Sequence, residues 1–155
     1  MKTFNQLVEE AREKVEELFP WDVEERQQNN EDMLIIDVRE PYEFDAMHIR
    51  DSINVPRGIL ETACEYDFEE TIPELVEARD KTVIVACRSG NRSLFAADVM
   101  QQMGYKTVIS LKTGLRGWNE AEQPLVDKNN LPVDIDDADE YFLPKLKPEQ
   151  HSPQK

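Results

Sequence analysis

The chain has 155 residues, 39% of them hydrophobic and 33% charged, which is enough for one domain with a sizeable buried core. Its formal net charge of -15 argues against binding to nucleic acids or anionic membranes, because both require clustered lysine and arginine. Two cysteines make no disulfide framework, and no stretch resembles a transmembrane span or a signal peptide, so we expect a protein of the reducing cytoplasm.

The first predicted element is an amphipathic helix over residues 3–19. Thr3 and Gln6 have the spacing of a capping box at its start, and Pro20 ends it. We expect its apolar side to pack on the chain's own domain, and a partner-binding helix is the alternative. That side consists of Phe4, Leu7, Val8, Ala11, Val15 and Leu18.

A short edge strand over residues 20–23 and a brief helix over residues 24–28 are predicted next. A buried strand over residues 33–38 follows, and Asp37 and Arg39 lie at its carboxyl end. Because ligands of open α/β sheets bind beyond the carboxyl ends of the strands, both residues belong to the edge where a site forms. An ion pair that only joins two loops explains the same two residues equally well.

The next part of the chain combines short predicted elements with a histidine and a cysteine. His48 is interpreted as a hydrogen-bonded structural residue, because the other histidine, His151, lies in the tail. Cys64 is interpreted as an inert helix cysteine, and the alternative is a resolving thiol that attacks an oxidised Cys87. The predicted elements are a helix over residues 42–46, a strand over 53–55, a helix over 58–64 and a helix over 73–79.

The most informative stretch begins with a strand over residues 82–86, whose small and β-branched apolar residues are typical of a strand buried on both faces of a parallel sheet. Apolar residues then recur at helical spacing from Leu94 to Met103, and Gly104 marks the end of that helix. The connecting loop is polar and consists of Cys87, Arg88, Ser89, Gly90, Asn91, Arg92 and Ser93. A single thiol therefore lies between the tip of a buried strand and the start of a helix.

This location favours the thiolate form of Cys87. A strand–loop–helix turn directs several main-chain N–H groups and the positive end of the helix dipole into one concavity. Arg88 and Arg92 add positive charge, and Gly90 allows the backbone to curl. The alternative is a small buried apolar cysteine, but a core thiol needs no pair of arginines beside it.

The last predicted core strand covers residues 107–111, and Trp118 in the segment after it is expected to anchor a short helix in the core. Beyond residue 127 the composition becomes acidic, and four prolines exclude a long helix. We expect this extension to pack over the domain, to help dimerise it or to remain disordered at its end, with residues 147–155 disordered. The sequence contains no internal repeat and no metal-ligand cluster.

Two motifs give the chain a family resemblance. The loop over residues 87–93 resembles the active-site loop of the rhodanese family. The stretch over residues 37–49, followed by Ile-Asn-Val-Pro at residues 53–56, resembles the second signature of that family. With the segment at residues 111–118, the resemblance covers residues 20–126 approximately.

The resemblance implies an α/β, doubly wound fold with a central parallel five-stranded sheet flanked by helices. It divides the chain into an N-terminal amphipathic helix (1–19), a rhodanese domain (20–126) and an acidic, proline-containing C-terminal extension (127–155). The chain departs from the family pattern at three glycines. Met47 and Asp51 replace two of them, and Thr113 stands where relatives often have the third.

The resemblance also implies site residues. Cys87 corresponds to the nucleophile that carries a sulfane sulfur as a persulfide, and Asp37 and Arg39 brace the surrounding loops. The expected activity moves sulfur from thiosulfate or a persulfide donor to a thiophilic acceptor, such as a sulfur-carrier protein, with no metal or cofactor. The residues expected to bind the anionic substrate are Arg88, Ser89, Gly90, Asn91, Arg92 and Ser93.

Two other functions remain open. The first is a persulfide carrier or regulatory module that passes sulfur to a protein partner. The second is a phosphatase or arsenate reductase, which is disfavoured because the rhodanese-fold enzymes of that kind have five residues between the cysteine and the arginine. Here four residues separate Cys87 from Arg92, and the smaller ring of amides suits a single sulfur better than a phosphate.

Overall fold

A five-stranded sheet forms the centre of the computed structural model, which describes residues 1–153. Its strands are β1 (Glu16–Leu18), β2 (Met33–Asp37), β3 (Ile53–Asn54), β4 (Thr82–Ala86) and β5 (Thr107–Leu111). All neighbouring strands are parallel, and their order across the sheet is β1-β5-β4-β2-β3. The expected parallel five-stranded sheet is therefore confirmed.

Helices cover both faces of this sheet. None of the helices in residues 1–153 is long and apolar enough to cross a membrane. Two 3₁₀ turns, Arg57–Ile59 and Pro148–Gln150, add to the helices. The helices are α1 (Phe4–Arg12), α2 (Pro20–Gln28), α3 (Pro41–Ala46), α4 (Leu60–Ala63), α5 (Pro73–Val76), α6 (Arg92–Gln102), α7 (Gly114–Glu120) and α8 (Ile135–Phe142).

The apolar side chains of β4 alternate between two cores, one on each face of the sheet. Val83 and Val85 belong to the core that includes residues of α1 and α6, whereas Ile84 and Ala86 belong to the core that includes residues of α2, α7 and α8. Successive side chains of a strand point to opposite faces, so a strand covered on both sides must be apolar throughout. This requirement explains the continuous apolar run of β4.

The strand order leaves a crevice at the carboxyl ends of β2 and β4. From β2 the chain moves outward to β3, then returns to β4 and continues to β5 on the other side. Such a reversal is where ligands bind in open α/β sheets. Asp37 at the end of β2 pairs with Ala86 at the end of β4, so Cys87 follows directly at this crevice.

The N-terminal helix is shorter than predicted. The capping box of Thr3 and Gln6 is present, and Val8 and Ala11 are buried, but α1 ends at Arg12 and residues 16–18 form β1 instead. β1 pairs with β5 and covers its outer edge. The hydrogen bonds between the main chains of β1 and β5 outweigh the local helical pattern, because the edge of β5 would otherwise have donors and acceptors without partners.

The predicted edge strand over residues 20–23 is wrong, because these residues begin α2. Pro20 occupies the first turn of the helix, where its missing N–H costs nothing. Asp22 does not start a later helix but accepts a hydrogen bond from the main-chain N–H of Phe19 at 3.3 Å. The predicted helices over residues 58–64 and 73–79 are also shorter, at Leu60–Ala63 and Pro73–Val76.

The C-terminal extension packs on the domain through α8. Ala138 and Phe142 are 1% and 2% exposed, and α8 contacts α7. The extension therefore packs over the domain up to residue 142. Dimerisation stays a prediction, and so does disorder over residues 147–155, of which residues 154–155 lie outside the described part of the chain.

The three residues that stand in place of glycines adopt two kinds of backbone conformation. Met47 is extended, with φ of -168°, a conformation that any residue adopts. Asp51 has φ of 67° and Thr113 has φ of 67°, so both lie in the left-handed region where glycine is favoured. The chain therefore keeps these two left-handed turns without glycine.

Candidate active site

Cys87 directly follows β4, and its sulfur lies beside the first turn of α6. Its Sγ accepts hydrogen bonds from the main-chain N–H groups of Gly90, at 3.1 Å, and Ser93, at 3.3 Å. Ser93 is in the first turn of α6, where N–H groups have no partner within the helix. The loop therefore surrounds the sulfur with donors, and these donors favour an anionic sulfur.

Cys87 is 1% exposed but lines a small cavity of about 180 Å³. The other lining residues are Phe4, Arg88, Ser89, Asn91 and Arg92. The Phe4 ring of α1 packs edge-on against Phe95 of α6, with 6.1 Å between the ring centroids. A cavity of this size has room for a small anion or a terminal sulfur, whereas pockets for larger ligands have volumes of about 300 Å³ or more.

Two buried serines extend the hydrogen-bond network behind the sulfur. The Cys87 thiol donates to Ser93 Oγ at 3.3 Å, and Ser93 Oγ lies 2.7 Å from Ser110 Oγ. Both serines are 0% exposed. The sequence reasoning does not identify Ser110 as a site residue. A serine among the apolar residues of β5 is nevertheless informative, because a buried hydroxyl needs a hydrogen-bond partner.

Arg92 is held by a carboxylate rather than by the sulfur. Its Nη1 and Nη2 donate to Glu43 Oε1 and Oε2 at 3.0 and 3.1 Å. Burial opposes ionisation of Glu43, but the hydrogen bond and charge of Arg92 outweigh it and hold the pKa of this carboxyl below its ordinary value. The same hydrogen bond raises the pKa of Arg92. Glu43, on α3, is thus a site residue that the sequence reasoning misses.

Arg88 points toward the C-terminal extension. Its Nη2 donates to the main-chain carbonyl of Phe142 at 2.7 Å. No carboxylate within residues 1–153 forms an ion pair with Arg88, in contrast to Arg39 and Arg92. Arg88 is therefore the arginine of the loop whose charge is available to an anion.

Asp37 and Arg39 form a buried ion pair beneath the site. Arg39 Nε and Nη2 donate to the two Asp37 oxygens at 3.0 and 2.8 Å, and Nη2 also donates to the Met47 carbonyl at 2.7 Å. Asn54 Nδ2 donates to the main-chain carbonyls of both residues at 3.0 Å. With 1% and 0% exposure, the pair joins the ends of β2 and β3 and the loop after α3 from inside the protein.

The turn between β5 and α7 braces the cysteine loop from the other side. The N–H groups of Leu115 and Arg116 donate to the carbonyls of Cys87 and Arg88 at 2.8 and 3.0 Å. A Cβ on Gly114 would lie 2.5 Å from both of these carbonyl oxygens, and its φ is +62°. Gly114 therefore permits this close approach, although the sequence reasoning assigns it no role.

The contacts of several other polar residues are typical of residues that support the fold. His48 Nδ1 lies 2.8 Å from the Phe44 carbonyl, which agrees with a structural histidine. Cys64 is 0% exposed, and burial raises the pKa of its thiol, as expected for an inert cysteine. Two further arginines near the ends of β3 and β5, Arg57 and Arg116, form ion pairs with acidic residues four positions along the chain. Within the described residues, no group of acidic, histidine and cysteine side chains could hold a metal ion.

Comparison with known proteins gives a match over most of the chain. A family profile described as the rhodanese-like domain matches residues 20–121. A sulfurtransferase of Allochromatium vinosum is 30% identical over 112 residues, which cover 72% of this chain and 95% of that protein. An uncharacterized Synechocystis protein is 34% identical over 103 residues, 66% of this chain, and the match spans only 52% of that protein.

A solved structure supports the same fold. It is a Rhodopseudomonas palustris protein described as of unknown function and a possible tyrosine phosphatase. The similarity has a TM-score of 0.72 and 29% sequence identity, and it covers 80% of this chain and 94% of that one.

Proposed function

The chain belongs to the family of rhodanese-like domains, and on this premise we propose that it is a sulfurtransferase in which Cys87 carries the transferred sulfur as a persulfide. The observation that supports this most directly is the pair of main-chain N–H groups, from Gly90 and Ser93, that donate to Cys87 Sγ. Donors already directed at the sulfur stabilise a thiolate before the reaction and the anionic persulfide after it.

The proposed reaction has two steps. First, the Cys87 thiolate attacks the outer sulfur of thiosulfate, the sulfur–sulfur bond of the donor breaks, and sulfite leaves with the electron pair. Second, a thiophilic acceptor attacks the outer sulfur of the persulfide and the Cys87 thiolate leaves. Covalent splitting of this kind predicts ping-pong kinetics. The cavity beside Cys87 has room for the terminal sulfur.

Replacing Cys87 tests the mechanism. We expect Cys87→Ser to abolish sulfur loading and turnover while the free energy of unfolding stays close to that of the wild type, because the hydroxyl occupies nearly the same volume but is not an effective nucleophile here. Loading is measured by intact mass after incubation with thiosulfate, as the addition of one sulfur atom. Turnover is measured as thiocyanate released from cyanide.

Cys64→Ala is the matched control, because Cys64 is the second thiol and lies in the same core as Cys87. This variant should still load one sulfur. A Cys87→Ser protein that forms thiocyanate would contradict the proposed nucleophile.

A persulfide carrier is the second candidate, and the 1% exposure of Cys87 favours it. A persulfide buried to this degree is shielded from acceptors that have no binding site on the protein, so its release depends on a specific partner. Loading by thiosulfate without release to cyanide or small thiols would favour the carrier over the enzyme.

Phosphatase chemistry is less well supported. The loop has four residues between Cys87 and Arg92, and the Arg92 side chain that would have to hold a phosphate is already bound at two points by Glu43. Hydrolysis of a simple aryl phosphate that disappears in Cys87→Ser would favour the phosphatase over the sulfurtransferase.

A further inference from the structure

A second cavity has one lining residue, Arg88, in common with the cavity that Cys87 lines. Its volume is about 260 Å³. One side is formed by α3 and the other by the end of α8 and the residues after it, which lie beyond the family match at residues 20–121. The lining residues are Tyr42, Glu43, Arg88, Tyr141, Leu143 and Lys145.

The side of this cavity formed by the C-terminal extension is held in place. The Arg88 guanidinium donates to the Phe142 carbonyl, and Phe142 itself is 2% exposed. The Tyr141 ring packs edge-on against Phe142, with 5.4 Å between the centroids. The backbone on this side of the cavity is therefore fixed by packed residues before a ligand binds, which lowers the ordering cost of binding.

The cavity has a positive charge in a strongly negative protein. Arg88 has no carboxylate partner among residues 1–153, and Lys145 has only an exposed contact of 3.9 Å with Glu140. The Glu43 carboxylate also lines the cavity, but both of its oxygens are bound by Arg92, which neutralises its charge. With a net charge of -15 for the whole chain, this local excess of cations indicates an anionic ligand.

We propose that this second cavity is the subsite for the sulfur acceptor, and that the acceptor is a small thiol that carries a carboxylate. This proposal rests on the sulfurtransferase function. The carboxylate binds Arg88 and Lys145, where a guanidinium provides paired N–H donors. The thiol then extends past Arg88 into the cavity that contains Cys87.

The transfer balances without any further reactant. The acceptor thiolate attacks the outer sulfur of the Cys87 persulfide, and a new sulfur–sulfur bond forms on the acceptor. The sulfur–sulfur bond of the enzyme breaks, and its electron pair stays on Cys87 Sγ as the thiolate. The proton that the acceptor thiol loses is taken up by the transferred sulfur of the anionic persulfide, so the product is the neutral persulfide of the small thiol.

Binding of an unreactive probe tests the subsite independently of sulfur transfer. The probe is S-methylglutathione, a thioether that bears carboxylates and cannot accept sulfur, and it is titrated calorimetrically into the Cys87→Ser protein. We expect binding, and we expect Lys145→Gln in the same background to weaken it by about threefold, as for loss of one exposed charge pair. The diethyl ester of the probe should bind more weakly, since it lacks the carboxylates.

Lys147→Gln is the matched control, because it removes the same charge from the same segment but Lys147 does not line the cavity. Its affinity for the probe should equal that of the parent protein at fixed ionic strength. Equal losses from Lys145→Gln and Lys147→Gln, or equal binding of probe and ester, would overturn the subsite, because the attraction would then be general electrostatics.

Sulfur loading separates the two proposals. We expect Lys145→Gln with an intact Cys87 to gain one sulfur from thiosulfate as the wild type does, and to show a raised KM for the carboxylate-bearing thiol. A wild-type protein that loads sulfur but does not bind the probe would refute the acceptor subsite and leave the sulfurtransferase function intact. Failure of Cys87 to load from any donor would instead refute that function.

Discussion

The ion pair of Glu43 and Arg92 determines how much positive charge the cysteine loop presents. Arg92 lies on the loop side of the cavity, but its guanidinium is bound at two points by Glu43. Of the two arginines that the sequence associates with Cys87, Arg92 is therefore neutralised and braces α3, whereas Arg88 has no carboxylate partner among residues 1–153. The two arginines thus have different partners although their side chains are chemically the same.

The Glu43→Gln substitution tests the contribution of this pair to stability. The pKa of Glu43 is lower in the folded protein than its ordinary value of 4.5. A lowered pKa adds stability that is fully present above that ordinary value and is lost as the pH falls through the folded-state pKa. We expect Glu43→Gln to reduce the free energy of unfolding near pH 7 by about 1 kcal/mol, since the exposed part of Arg92 allows water to screen the pair.

The measurement is urea unfolding at about pH 7 and about pH 3. The difference between wild type and Glu43→Gln should shrink at the lower pH, as Glu43 of the wild type takes up a proton. Glu61→Gln is the control, because Glu61 pairs with Arg57 at the surface and should change little at either pH. A difference that is equal at both pH values would show that Glu43 acts through packing and not through its charge.

At the scale of secondary-structure elements, the β5–α7 turn holds the cysteine loop in its shape. The first N–H groups of α7 are bound by the carbonyls of Cys87 and Arg88, so the loop fills hydrogen-bonding positions that a helix start leaves open. Two carbonyls at the start of the loop therefore accept from α7, and the N–H groups of Gly90 and Ser93 donate to the sulfur. This division keeps donors, and not acceptors, around Cys87.

Gly114→Ala should disrupt this arrangement. A methyl group there would lie 2.5 Å from the Cys87 and Arg88 carbonyl oxygens, and the backbone has φ of +62°. We expect a loss of about 2 kcal/mol in the free energy of unfolding, from the strained backbone alone, and slower loading of sulfur on Cys87. Chemical unfolding and the rate of loading measured by intact mass report the two effects.

Gly58→Ala is the corresponding control, since no atom lies within 4 Å of the added methyl group. It should change the free energy of unfolding by less than about 0.5 kcal/mol. Wild-type stability and loading in Gly114→Ala would mean that the turn does not support the cysteine loop.

At the scale of the whole molecule, the net charge of -15 opposes the approach of an anionic donor. The local cations act at short distance, while the repulsion extends over about 10 Å or more at low salt. We expect kcat/KM for thiosulfate to rise by about twofold to threefold when the ionic strength increases from about 0.01 M to about 0.15 M, because salt screens the repulsion.

An aromatic thiosulfonate is the comparison substrate, because it carries one negative charge and thiosulfate carries two. Its kcat/KM should rise less over the same range of salt. A fall in kcat/KM for thiosulfate with increasing salt would indicate that the cations beside Cys87 attract the donor more strongly than the remaining surface repels it.

Much of the fold and the centre of the site could be predicted from the sequence, because their signals are local. The apolar run of β4, the polar loop from Cys87 to Ser93 and the spacing of α6 involve neighbouring residues. Where a local pattern competed with strand pairing the prediction was wrong, as at β1, because the partner strand β5 lies far along the chain.

The amino-acid sequence by itself determined that a cysteine follows the end of a buried strand, with two arginines in the same loop. Only the tertiary structure decided what those arginines do: Arg92 meets a carboxylate 49 residues away, and Arg88 meets a carbonyl 54 residues away. With 33 acidic residues in the chain, chemistry alone could not select Glu43. The selection depends on which groups the folded sheet and its C-terminal extension bring within hydrogen-bond distance.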